Sequence, residues 1–147
     1  MAAKVAIIED DVAISQMYRI KFEGEGFLVE TAENGKLGLQ LVENMKPDII
    51  LLDLMMPEMT GDEMLTKLRS TVWGKDIKVV ILTNVGEQEI PENVKKLGVS
   101  AVILKADMTP RQVAELVKQQ LGSSPAGKVP DSSAQTNPSS SSATMVS

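Results

Sequence analysis

Ile49-Ile50-Leu51-Leu52-Asp53-Leu54-Met55-Met56-Pro57 is the stretch on which the fold turns. Four apolar residues run without alternation and stop at a single carboxylate, which reads as a short strand buried on both faces with an acid at its carboxyl end. Working outward, the same kind of run recurs at Val5–Ile8, Val79–Leu82 and Ala101–Leu104. Phe27–Thr31 is weaker, mixing Leu28 and Val29 with Glu30, and suits a strand at the edge of a sheet. Between the strands, apolar residues fall at helical spacing. They are Ile14, Met17, Tyr18 and Phe22 in the first helix, Gly38, Leu41, Val42 and Met45 in the second, and Gly61, Met64, Leu65 and Leu68 in the third. A shorter helix is expected over Pro91–Leu97, with Gly98 placed to stop it. The last has a marked start, Thr109 as N-cap, Pro110 in the first turn and Gln112 completing a capping box, ahead of Val113, Leu116, Val117 and Leu121. Five strands alternating with five helices imply an α/β, doubly wound parallel sheet with helices on both faces. In such sheets ligands gather beyond the carboxyl ends of the strands.

Composition narrows the chemistry. The 147 residues contain no Cys and no His, which removes disulfides, thiolate zinc sites, cysteine nucleophiles and histidine bases. The net charge is -5 with no block of Lys and Arg, which argues against direct nucleic-acid binding. No apolar run reaches the roughly 18 residues that span a bilayer, and the N-terminus lacks a signal peptide's cleavage region, so a cytoplasmic protein with no membrane partner is expected. From Gly122 onward, 26 residues include nine Ser and three Pro. The expectation is a folded domain over residues 1–121 and a disordered Ser/Pro-rich tail over 122–147, serving as linker, tether or appended remnant.

The first strand runs into Glu9, Asp10 and Asp11, the third ends in Asp53, the fourth in Thr83 and the fifth at Lys105. Singly each has an ordinary reading: one of Asp10 and Asp11 as a helix N-cap, the Thr as a turn residue, the Lys as a solvated cation. Together, four acids on one sheet edge repel, and hard oxygen ligands there suit Mg²⁺ or Mn²⁺. With a hydroxyl and a cation beside them, the set describes phosphoryl chemistry: Asp53 as nucleophile, with Thr83 and Lys105 holding phosphoryl oxygens.

In order and spacing, Ile7-Ile8-Glu9-Asp10-Asp11, Leu51 to Pro57 with Gly61, Ile81-Leu82-Thr83-Asn84 and Ile103-Leu104-Lys105 resemble the receiver domain of bacterial response regulators. The resemblance covers residues 4–121. It implies a flavodoxin-like sheet of strand order 2-1-3-4-5, Asp53 as phosphoacceptor, Thr83 as switch hydroxyl and Lys105 as phosphate-binding cation. It also implies a metal site of Glu9 (through water), Asp10, Asp53 and the backbone carbonyl of Met55, with Asp11 just outside. The phosphodonor would be a histidine kinase or histidine phosphotransfer protein. Output would pass to an unknown protein through the fourth helix, fifth strand and fifth helix, where many members dimerise on phosphorylation. The chain would then be a phosphoacceptor of a two-component phosphorelay, with only its own phosphotransfer and autodephosphorylation as catalysis.

Three positions depart from the family pattern. Val102 stands where most receivers carry an inward-turning Tyr or Phe, and Ala106 where they carry a cis proline. A non-proline cis bond costs roughly 2.5–4 kcal/mol, so a trans peptide is expected there. Asn84 replaces a small residue, and apolar Met55 and Val85 flank the path of attacking water with no group to orient it, which predicts a long-lived phosphoryl group. Two other readings stand beside this one. A haloacid-dehalogenase-like phosphatase needs a second acid two residues after the nucleophile, where this chain has Met55. A phosphorylation-independent scaffold draws support from Val102 and Ala106.

Overall fold

The structure, a computed structural model, describes residues 3–56, 59–84, 90, 92–105 and 107–122. Its elements are β1 (Lys4–Ile8), α1 (Val12–Gly24), β2 (Leu28–Ala32), α2 (Gly35–Met45), β3 (Ile49–Asp53), α3 (Gly61–Arg69), β4 (Lys78–Thr83), α4 (Glu92–Lys96), β5 (Ala101–Leu104) and α5 (Pro110–Gly122). The strands form one parallel sheet in the order β2-β1-β3-β4-β5, as expected. One compact unit extends to Val117; of the remainder, the structure describes 118–122, the last residues of α5.

The hydrophobic runs form strands because β1, β3 and β4 are covered on both faces. Ala6, Ile8, Ile50, Leu52, Val79 and Ile81 share one core with Val42 of α2, Met64, Leu65 and Leu68 of α3, and Val94 of α4. Their alternates Val5, Ile7, Ile49, Leu51, Val80 and Leu82 are also fully buried and point to the other face, where α1 packs against β1 and β2. Burying a side chain of this size is worth about 1.5–3 kcal/mol, so these strands dominate the stability of the sheet.

Two expectations need correction. The run Ala101–Leu104 reads as buried on both faces, but β5 pairs with β4 alone and only Ile103 of its four residues is buried. Position in the sheet, not composition, sets its exposure. In α1, Met17 is 43% exposed while Ser15 is buried at 5%. Ser15, Tyr18 and Phe22 follow the i, i+3, i+7 line that faces the sheet, and Met17 lies off it. The third-helix stripe is buried at all four positions. The short fourth helix begins at Glu92, and Gly98 follows its end with φ +76°, a left-handed conformation that favours glycine. Pro91 lies outside the described residues. Among the described residues, no helix is long and apolar enough to cross a membrane.

Candidate functional site

The carboxyl ends of β1, β3 and β4 and the turn after β5 bring Glu9, Asp53, Thr83 and Lys105 to one edge. Glu9, Asp53 and Thr83 are buried, at 1%, 2% and 0% exposure. Asp10 is exposed beside them, and one carboxylate oxygen from each of Glu9, Asp10 and Asp53 lies within 4.8 Å of the others. Asp11 instead caps α1, its Oδ1 accepting from the Ile14 amide at 3.1 Å. The choice between Asp10 and Asp11 as helix cap is thereby made, and Asp10 is left to the cluster.

Local hydrogen bonds hold the two buried acids. The Asp11 amide donates to Glu9 Oε1 at 3.1 Å, and the Met55 amide donates to Asp53 Oδ1 at 3.1 Å, folding the chain after β3 back over its own carboxylate. The Met55 side chain itself is 67% exposed. Directly behind this turn, the Gly61 amide donates to Leu54 O at 3.0 Å, and a Cβ on Gly61 would overlap Asp53 O and lie 2.7 Å from Leu54 Cα. Only glycine lets the start of α3 approach the acid so closely. Thr60 caps that helix in a reciprocal box with Glu63.

Lys105 bridges the pair. Its Nζ lies 2.7 Å from Glu9 Oε2 and 3.4 Å from Asp53 Oδ2, with 12% of its side chain exposed. Burial works to lower the Lys105 pKa, but the adjoining carboxylates outweigh it and hold the ammonium above its ordinary value. Asp53 goes the other way. Burial chiefly, then the proximity of Glu9, pushes its carboxyl from 3.8 up to about 7, against the opposing effects of the Met55 amide and Lys105. Glu9 Oε2, for all its closeness to Lys105, is buried and meets no donor with hydrogen-bond geometry among the described residues. One ammonium for three clustered acids leaves negative charge uncompensated, and the residual ligand capacity on Glu9, Asp10 and Asp53 fits a small hard cation.

Of the remaining expected positions, Asn84 is exposed just beyond Thr83, and Val102 is partly buried against the core. Val85, Pro57 and Ala106 lie outside the described residues, so the expected trans peptide at Ala106 and the water-flanking role of Val85 have no structural counterpart. Sequence reasoning did not single out Ser15, buried on α1, or Arg69, which donates from Nε to Leu97 O at 2.7 Å, from Nη2 to Gly98 O at 3.0 Å and from Nη1 to Ile77 O at 2.7 Å. An isolated polar residue on an otherwise apolar helix face was the available signal for Ser15.

Comparison with known proteins agrees with this geometry. The family model described as the response regulator receiver domain matches residues 5–118. Among curated relatives, the response regulator MprA of Mycobacterium sp. (strain KMS) is 34% identical over 101 residues, 69% of this chain and 42% of that protein. The chain thus spans less than half of the MprA relatives. Sporulation initiation phosphotransferase F of Bacillus subtilis (strain 168) is 34% identical over 98 residues, 67% of this chain and 77% of that protein. The solved structure of chemotaxis response regulator CheY4 of Vibrio cholerae superposes with a TM-score of 0.76 at 27% identity, covering 82% of this chain and 99% of that one.

Proposed function

Because the chain belongs to the response regulator receiver domain family, we propose that it accepts a phosphoryl group on Asp53 from a phosphohistidine of a partner histidine kinase or histidine phosphotransfer protein. The observation that carries this reading is the buried Asp53 carboxylate, paired with Lys105 at 3.4 Å within the Glu9, Asp10 and Asp53 cluster. In the transfer, an Asp53 oxygen forms the new P–O bond as the donor's P–N bond breaks, and the imidazole leaves with the electron pair and takes up a proton. Lys105 is placed to neutralise one phosphoryl oxygen, and Thr83 to donate its hydroxyl to another once the group is attached. Glu9 through water, Asp10, Asp53 and the Met55 carbonyl would hold Mg²⁺ or Mn²⁺, which supplies charge neutralisation for Asp53 and for the incoming phosphoryl oxygens. Asp53, pushed up to about 7 by burial, needs such compensation to act as a carboxylate nucleophile at neutral pH. On this reading the protein is a cytoplasmic signalling domain and not a metabolic enzyme. Its phosphorylation changes binding to an output protein, or to a second copy, through α4, β5 and α5.

Intact-protein mass after incubation with acetyl phosphate, with and without Mg²⁺, tests the assignment on wild type and Asp53→Ala. The expected result is a metal-dependent gain of one phosphoryl mass that the variant lacks. Asp10→Ala should weaken Mg²⁺ binding and labelling together, since phosphorylation adds roughly 1.5–2 negative charges to an already acidic site; unchanged labelling in that variant contradicts the proposed metal site. Met55 and Val85 carry no polar group that could orient an attacking water, so the phosphoryl group should be long-lived, and loss within seconds in Mg²⁺ buffer counts against that. The scaffold alternative rests on Val102, which has no ring to turn inward, and on Ala106 where the family carries proline. Failure of Asp53 to react with any phosphodonor, small molecule or protein, favours it.

A further inference from the structure

α1 and α2 both pack on β2, the edge strand of the sheet, and no strand lies beyond it. The space left between the two helices at that edge is a cleft of about 560 Å³. Small-molecule sites commonly run from about 300 to 1,000 Å³, so the cleft has the size of one.

Two polar side chains in its lining are more than nine-tenths buried. Ser15 of α1 is one, and its hydroxyl makes no hydrogen bond among the described residues. Glu9 is the other, with Oε2 lacking a donor of hydrogen-bond geometry. An oxygen taken from bulk water without a partner is costly, so both positions call for a donor. Just past the end of β2 stands Glu33, exposed and in no ion pair among the described residues. The lining holds no Lys or Arg, so its charge is of one sign. The walls beside these groups are aliphatic, with Val12 on α1 and Leu37 and Leu41 on α2. The complement of such a cleft is a cation on an aliphatic stem.

We propose that the cleft binds a small aliphatic amine, whose ammonium donates to Ser15 Oγ and pairs with Glu9 and Glu33 while its stem lies against Val12, Leu37 and Leu41. An ammonium has three donors, one for each of those acceptors, where a neutral alcohol has a single donor and a carboxylate has none. Lys105 already neutralises part of the charge on Glu9, at 2.7 Å from Oε2. Glu33 therefore supplies the larger share of the attraction, and Glu9 with Ser15 fixes where the ammonium sits. Binding of this kind needs neither a metal nor a phosphoryl group, so it stands apart from the phosphoacceptor reading.

Titration of the metal-free full chain with hexylamine at neutral pH, followed through backbone amide shifts by NMR, tests the proposal; an alkylamine is charged there, as a lysine side chain is. Hexan-1-ol and hexanoate are the matched neutral and anionic probes. Hexylamine should give saturable shifts at residues 12–16, 31–33 and 37–41, with affinity at least about fivefold above that of hexan-1-ol, and hexanoate should not saturate. Ser15→Ala should weaken the amine about fivefold. Glu33→Lys, a change at an exposed position, should weaken it at least as much. Equal binding of the three probes overturns the proposal, as does the absence of saturable shifts or an unchanged affinity in both variants. Shifts confined to residues 9–11 and 53–55 overturn it too, because they mark an amine held among the clustered acids and not in the cleft. The comparison of probes on the wild type is decisive even if Ser15→Ala folds poorly.

Discussion

At Asp53, burial in the metal-free protein holds the carboxyl proton up to about 7, whereas the unfolded chain releases it near 3.8. The stabilising contribution of that proton is complete below pH 3.8 and is lost as the pH rises through about 7. Above that pH the folded protein carries a charged, poorly solvated acid next to Glu9. Asp53→Asn removes the penalty and leaves Lys105 paired with its nearer partner, Glu9, at 2.7 Å. The variant should therefore be more stable than wild type by the order of 2 kcal/mol at about pH 8 without metal. The gain should shrink toward about pH 4 and on adding Mg²⁺, and urea unfolding at the two pH values reads it directly. Gly61 makes the complementary case. A methyl group there meets Asp53 O and Leu54 Cα, both backbone atoms that cannot rotate away. Gly61→Ala should cost about 2–3 kcal/mol, in the range of overpacking and strain, and should slow phosphoryl uptake by shifting the turn that carries Asp53. Thermal unfolding and labelling rate on one preparation show whether the two losses occur together.

Among the elements, α5 offers a local change remote from the phosphoryl chemistry. The Thr109 amide donates to Gln112 Oε1 at 2.8 Å and the Gln112 amide to Thr109 Oγ1 at 3.2 Å, which is the reciprocal box expected from those two residues. Thr109→Ala should lower stability by about 1 kcal/mol and leave labelling of Asp53 unchanged, as denaturant unfolding and intact mass would show. The element scale is also where sequence proved most and least informative. Four apolar positions at helical spacing sufficed to place the buried face of α3, because Met64, Leu65 and Leu68 have nowhere else to go. The acid cluster was legible for a related reason: a carboxylate that ends an apolar run must lie at the sheet's edge. What stayed hidden depends on neighbours that a linear pattern does not encode. β5 carries the same kind of residues as β4, yet it is half-exposed because no strand lies beyond it. Arg69 reads as an ordinary basic residue in a last helical turn, since its partners are backbone carbonyls that leave no mark in the sequence.

For the whole molecule, the domain reading assigns folding and phosphotransfer to residues 1–121 and neither to 122–147. A chain ending at Leu121 should show the same unfolding midpoint and the same rate of labelling by acetyl phosphate as the full chain; a lower midpoint would extend the folded domain into the tail. The single Trp73, packed against the core in the α3–β4 connection, gives the optical signal for that comparison.

The strand order β2-β1-β3-β4-β5 carries one more consequence, for biosynthesis. Of the five strands β1 is made first, and it becomes an interior strand, so the sheet grows outward from it. After β3 has crossed to the free side of β1, each new strand docks beside the one made just before it, and no pair already formed has to open. The last strand added, β5, buries only Ile103, so most of the sheet's core is in place before its final edge docks.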